Sequence, residues 1–150
     1  MKLSYDFIHD IPPQEFNRLI KPNHYILAVI GSRKFTDANY IFNRIDYLLN
    51  VLHRNNQFNS LTDVVIISGK AKGVDRIGMR YAQERGLLNI NILPDWDRFP
   101  HIAGFKRNYN IIKYSHRVLA FRLNNSGGTT DSINHAIALG IKNHTIDITT

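Results

Sequence analysis

Two hydrophobic rhythms alternate along this chain, and their alternation predicts a repeated strand–helix unit. Residues 25–30, Tyr-Ile-Leu-Ala-Val-Ile, form an unbroken apolar run, partly β-branched and closed by Gly31, as expected of a strand buried on both faces. Between residues 38 and 54 the spacing changes: Ile41, Ile45, Leu48, Leu49 and Leu52 recur at helical intervals, with Thr36 or Asp37 placed as the N-cap. The unit then repeats. Residues 64–67 read as a second strand ending at Ser68-Gly69, and a helix from about Asp75 carries Ile77, Tyr81 and Ala82 to a stop at Gly86. Residues 90–93 predict a third strand, Phe105, Tyr109 and Ile112 mark a third helix, and residues 118–121 predict a fourth strand. A last helix over residues 131–139 turns Ile133, Ala136 and Ile137 inward and stops at Gly140; residues 144–148 form a fifth strand. Residues 1–24, with Pro12, Pro13, Pro22 and the short helical pattern Phe16, Leu19, Ile20, read as an N-terminal extension packed on a body of residues 25–150.

This order predicts an α/β fold, Rossmann-like and doubly wound, with a mainly parallel five-stranded sheet and helices on both faces. Parallel strands send their following loops to one edge, where open α/β sheets hold ligands at the point of strand-order reversal. Four such loops carry candidate chemistry. In the first, Gly31 lets backbone approach an anion, Ser32 can donate a hydrogen bond, and Arg33 can grip phosphate through its fork of N–H groups. The second, residues 68–75, sets Gly69 and Gly73 four apart among Ser68, Lys70 and Lys72, leaving amides to face an anion at a helix N-terminus. It is neither a P-loop nor the dinucleotide fingerprint. Asp75 there is an N-cap or a ribose-hydroxyl contact.

The third segment holds Asp95, Trp96, Asp97 and His101 ahead of Arg107 and Asn108 at a helix start. Trp96 is a core residue or a base-stacking platform; Arg107 and Asn108 either reach the same anion or lie on a solvated face. The fourth, Ser126-Gly127-Gly128-Thr129-Thr130-Asp131, repeats glycines before hydroxyls, with Thr129, Thr130 or Asp131 as the cap of the last helix.

Charge sharpens this picture. Among 150 residues, Lys and Arg number 19 against 12 Asp and Glu, an excess that favours anionic partners. Eight of the 19 lie in or beside three of these loops: Arg33, Lys34, Lys70, Lys72, Arg76, Arg98, Lys106 and Arg107. The length suits one domain. The absence of cysteine excludes disulfides, thiolate zinc sites and a cysteine nucleophile. Seven histidines without ligand spacing make a metal unexpected, and no cofactor is expected. No apolar run approaches a membrane span and residues 1–10 carry no secretory pattern, so the expectation is a cytoplasmic protein, or one of the host cytoplasm if phage-encoded.

Taken in order, Gly31-Ser32-Arg33 with Phe35 and Asp37, residues 68–76, Asp95-Trp96, Ala103-Gly104, Arg107-Asn108, and Gly128-Thr129 with Asp131 resemble the SLOG superfamily, named from the DNA-processing Smf/DprA proteins and the cytokinin-activating LOG enzymes, and within it the small YspA-type members. The resemblance covers about residues 25–148. It implies a Rossmann-like fold and a nucleotide-derived ligand that such proteins sense or process, often in bacteria and phages. Lys70 stands where that family usually has Gly, and Lys72 where it often has Arg. LOG-type phosphoribohydrolases carry Gly-Gly-x-Gly-Thr-x-x-Glu, and counting from Gly128-Thr129 the catalytic Glu position is Ser132. Asp131, one residue earlier, is rotated by about 100° around a helix.

Three functions follow as expectations. The first is binding, by sensing or sequestering, of a phosphate-bearing nucleotide or an NAD- or ADP-ribose-like ligand. The second is cleavage of an N-glycosidic bond, for which Asp131 and Asp95 are the candidate catalytic carboxylates. The third is DprA-like nucleic-acid binding, ranked last because no basic helix or aromatic stripe stands out beyond the loops. A homo-oligomer is compatible with a domain of this size.

Overall fold

The computed structural model describes residues 8–149. Its elements run β1 (Ile8–Ile11), α1 (Phe16–Leu19), β2 (Tyr25–Gly31), α2 (Ala38–Arg54), β3 (Val64–Ser68), α3 (Val74–Arg85), β4 (Leu88–Ile92), α4 (Ala103–Lys113), β5 (Arg117–Leu123), α5 (Gly127–Leu139) and β6 (Asn143–Ile148), with single 3-10 turns at Pro13–Glu15 and Leu61–Asp63. The strands form one sheet in the order β1-β4-β3-β2-β5-β6, and each neighbouring pair is parallel. The Rossmann-like α/β reading holds, with two corrections: the sheet has six strands rather than five, and it is parallel throughout. The additional strand lies inside the N-terminal extension, where Ile8, His9, Asp10 and Ile11 pair with residues 89–92 of β4. Four half-polar residues before Pro12 are too few to show a period.

Both faces of the sheet are covered. Leu27 and Val29 pack with Val64, Ile66 and the inward positions of α2 and α3, including the fully buried Ile41 and Ile45. The alternate positions Ile26, Ala28 and Ile30 join Val65, Ile67, Ile90 and Ile92 beneath Ile111 and Ile112 of α4 and Ile133 and Ala136 of α5. This even distribution explains the unbroken apolar run of β2. The extension contributes to the second layer through Phe16, whose ring stacks on Tyr114 with centroids 4.2 Å apart.

Asp37 supplies the cap of α2, its Oδ1 accepting from Tyr40 N at 3.1 Å. Elsewhere the expected caps are replaced. Gly73 occupies the N-cap of α3, so Asp75 is the second residue of the helix, in its first turn. The last helix begins at Gly127, four residues early, with Ser126 as N-cap in place of Thr129, Thr130 or Asp131. Glycine is tolerated there because first-turn amides have no intrahelical partner to lose. Two burial expectations also change: Phe105 and Tyr109 are exposed on α4, and Ile137 on α5 is 65% exposed. Spacing located these helices but not which of two adjacent apolar residues points inward.

Candidate functional site

From the central strand β2 the chain winds outward through β3 and β4, then crosses back to β5 on the other side. The loops after β2 and β5 therefore diverge, and a cavity of about 590 Å3 opens between them. Its walls include Gly31, Ser32, Arg33 and Lys34 after β2, Asp75 of α3, Trp96 and His101, Gly104, Phe105, Arg107 and Asn108 of α4, and Asn124, Ser126, Gly128, Thr129 and Ser132 after β5.

Each wall is held by local bonds. Ser32 N donates to Phe121 O at 3.0 Å, and Ser32 Oγ accepts from Lys34 N at 3.3 Å, which sets the first loop beside β5. Gly73 has φ +76°, and a Cβ there would lie 2.4 Å from Ser32 O and 2.5 Å from Arg33 O, so only glycine lets the second loop support the first. After β5, Asn124 and Asn125 both take positive φ, and Ser126 N donates to Leu123 O at 3.1 Å. This tight turn leads directly into α5, whose first-turn residues Gly128 and Thr129 form part of the cavity wall.

Asp75 is buried, at 6% exposure, and its Oδ2 accepts from Gly69 N at 3.1 Å and Ala71 N at 3.4 Å. Burial pushes its carboxyl up to about 6, against the pull of the Arg107 guanidinium and of backbone amides. Arg107 donates from Nη1 to Gly69 O at 2.9 Å and from Nε to Asn108 Oδ1 at 3.0 Å. A Cβ on Gly69 would sit 2.6 Å from that Nη1, so the bare glycine makes room for the guanidinium. Burial holds Arg107 below the usual arginine value; Asp75 opposes this, and the neighbouring Arg33 adds to it. Two guanidinium groups thus repel one another beside one cavity. Trp96 is 53% exposed, and a Cβ on Gly104 would lie 3.6 Å from its ring. Its ring flanks the cavity rather than filling the core.

Of the residues singled out by sequence, Gly31, Ser32, Arg33, Asp75, Trp96, Arg107, Asn108, Gly128 and Thr129 line this cavity together. The others support it or face elsewhere. Ser68 is buried and its Oγ donates to Asn91 Oδ1 at 3.1 Å. Lys70, at φ 60°, donates to Asp10 of β1. Gly69 and Gly73 back Arg107 and Arg33, and Gly127 opens α5 outside the lining. Asp131 and Asp95 line a neighbouring cavity of about 780 Å3, beside Phe99, Phe105, Lys106, Arg107, Tyr109 and His135. Asp95 Oδ1 accepts from Arg98 N at 3.1 Å. Asp131 lies 3.4 Å from His135 Nε2.

Sequence reasoning missed Asn124 and Phe105 as lining residues. A continuous glycine–hydroxyl signal after β5 covered Ser126. Ser132, marked in the sequence only as the place of the LOG-type Glu, lies near the start of α5, 5% exposed, and joins the lining. An aromatic and cationic surface also went unread: Lys106 Nζ stands 4.4 Å and Arg98 5.2 Å from the Phe99 ring centre, with Phe105 and Tyr109 exposed nearby. Among the described residues no helix is long and apolar enough to cross a membrane.

Residues 25–99 match the model of the family described as YspA, cpYpsA-related SLOG. The Gene 61 protein of Mycobacterium phage D29 is 31% identical over 121 residues, covering 77% of this chain and 90% of the phage protein. Among solved structures, DNA processing protein A from Helicobacter pylori, described for its single-stranded DNA binding mode, superposes with a TM-score of 0.58 at 20% identity, over 82% of this chain and 65% of that one. DNA processing protein A from Streptococcus pneumoniae gives a TM-score of 0.47 at 19% identity, over 81% and 58%. The chain thus spans about two thirds or less of each of these two proteins.

Proposed function

The chain belongs to the YspA, cpYpsA-related SLOG family, and from that premise we propose that it binds a phosphate-bearing nucleotide, or an NAD- or ADP-ribose-like ligand, in the cavity between the loops after β2 and β5. One observation carries this reading. Arg33 and Arg107 line one cavity together with Gly128 and Thr129 of the first turn of α5, and there burial, with the neighbouring Arg33 adding to it, disfavours the Arg107 charge. A phosphate between them relieves the repulsion and accepts both forks and helix amides at once. Asp75 does not compete for Arg33, because its oxygen is engaged by Gly69 and Ala71. The cavity volume of about 590 Å3 is of the size that small-molecule sites use. Trp96 on the rim supplies a face for a base.

Trp96 is the chain's one tryptophan, so its fluorescence reports on this cavity directly. Titration with ADP-ribose, AMP and adenosine is expected to quench it, with Arg33→Ala weakening the two phosphate-bearing ligands by about tenfold or more and leaving adenosine unchanged. Equal loss for all three removes the phosphate role of Arg33.

The aromatic and cationic surface around Phe99, Phe105 and Lys106 favours a second reading, a single-stranded nucleic acid whose bases stack while its phosphates meet Arg98 and Lys106. Oligonucleotides in the same titration distinguish it: their binding would fall steeply with salt and outlast Arg33→Ala.

A further inference from the structure

Beside the phosphate cavity lies the second one of about 780 Å3, and the two share Phe105 and Arg107 of α4. Both volumes fall in the range of roughly 300–1,000 Å3 that small-molecule sites use, so each has room for one nucleoside. Arg107 is held at their boundary. Gly69 O accepts from its Nη1 at 2.9 Å and Asn108 Oδ1 from its Nε at 3.0 Å, which fixes the plane of the guanidinium. Exposed aromatic rings stand on either side of it: Trp96 at the first cavity, and Phe105 and Tyr109, four residues apart and so on one face of α4, at the second. Phe99 is engaged otherwise, because Arg98 and Lys106 lie 5.2 Å and 4.4 Å from its ring centre. The acids of the second cavity have neighbours of their own, Asp95 standing 4.0 Å from Arg98 and Asp131 3.4 Å from His135. Lys106 and Arg107 therefore disfavour a positively charged ring at Phe105 and Tyr109.

An aromatic face, a fixed cation and a second set of aromatic faces, in that order, match a molecule with two bases joined through phosphate. We propose that the site takes a dinucleoside pyrophosphate with two neutral bases. The pyrophosphate lies at Arg33 and Arg107, one base on Trp96 in the first cavity, and the other on Phe105 and Tyr109 in the second. This rests on the phosphate reading for the place of the pyrophosphate and adds to it a base subsite outside that cavity.

Diadenosine pyrophosphate and ADP-ribose differ only in the second base, so the ratio of their dissociation constants reports that base alone. By calorimetry at one salt concentration, diadenosine pyrophosphate binds in a one-to-one ratio and about tenfold or more tighter than ADP-ribose, as one stacked base provides. Oxidised NAD, with its cationic ring in that place, binds like ADP-ribose. Tyr109→Ala removes the difference and leaves ADP-ribose unchanged, whereas Tyr109→Phe, which keeps the ring, retains it. Equal constants for the two ligands overturn the proposal, as does a difference that survives Tyr109→Ala, one that Tyr109→Phe abolishes, or oxidised NAD binding as tightly as diadenosine pyrophosphate. Oligonucleotides that displace diadenosine pyrophosphate and bind more tightly with each added nucleotide also overturn it, because they assign the aromatic surface to single-stranded nucleic acid. Arg33→Ala separates the two readings. If it weakens ADP-ribose while the second base adds nothing, the base subsite falls alone; if it leaves both ligands unchanged while Tyr109→Ala still distinguishes them, the phosphate reading falls and the base subsite stands.

Discussion

Replacing Asp75 by Asn removes a buried charge from the floor of the site, and the structure sets how large the effect is and which way it runs. The carboxyl moves from 3.8 to about 6 on folding, because burial outweighs Arg107 and the amides of Gly69, Ala71 and Gly31. Between those two values the unfolded chain is ionised there and the folded one is not, so the stability due to this group is complete below 3.8 and is lost as pH rises through 6. At 1.36 kcal/mol per pH unit the loss amounts to about 3 kcal/mol. Asn does not titrate, and its Oδ1 still accepts from Gly69 N, so the variant keeps the loop and loses the pH term. Urea unfolding of both proteins at about pH 4 and about pH 7.5 gives the quantity directly, and every other titrating group cancels in the difference. The wild type should lose about 2 kcal/mol relative to Asp75→Asn on going from the lower pH to the higher, since part of the loss is already complete at about pH 4. Stability curves that stay parallel within about 1 kcal/mol refute the assignment of a costly buried carboxylate.

Gly69→Ala places a methyl 2.6 Å from Arg107 Nη1 and drives the guanidinium off Gly69 O; phosphate-bearing ligands should bind about tenfold or more weakly by Trp96 fluorescence, and an unchanged affinity would remove Arg107 from the anion site. His116 Nδ1 accepts from Ile26 N at 2.8 Å, and burial holds the imidazole below its ordinary 6.5, so the stability it contributes is present above that pH and lost below it, the opposite sense to Asp75. His116→Asn, whose Oδ1 can take the same N–H, should flatten the decline in urea midpoint between about pH 6.5 and about pH 5; an equal decline in both proteins places the acid sensitivity elsewhere.

The parts of the fold legible in the sequence are those where one rule acts alone. The β2 run had no competing period, and the five inward positions of α2 fit one helix face. The start of α5 was hidden because Gly127 and Gly128 are turn residues by propensity, yet serve a helix start where amides must stay bare. Phe105 and Tyr109 carried correct helical spacing but the wrong side: Ala103, Ile111 and Ile112 are the buried face of α4. For the site, glycines and basic residues marked the right loops. Which cations meet there depends on partners remote in sequence, and spacing along the chain carries no trace of them.

Lys70 and Arg107 show this selection at work. Both belong to the basic set beside the loops, and both approach the second loop. Lys70 holds φ 60°, a region that costs a non-glycine residue about 1–3 kcal/mol, and its ammonium is engaged by Asp10. Asp10 is in turn bonded by Asn91 Nδ2 at 2.9 Å, and Asn91 accepts from Ser68. Despite burial, these bonds from Lys70 and Asn91 keep the Asp10 carboxyl below the usual range. The edge strand supplied by the N-terminal extension thus neutralises one cation of the glycine loop and ties that loop to β4. Arg98 stands 4.0 Å from Asp95. Arg33 and Arg107 are the guanidinium groups of this set that face the first cavity, and burial disfavours the charged form of Asp75, whose Oδ2 is taken up by the amides of Gly69 and Ala71. Charge uncompensated by the protein therefore concentrates between β2 and β5, where strand order reverses, and an anion placed there meets less competition than over the lysine-rich loop whose composition first suggested a phosphate site.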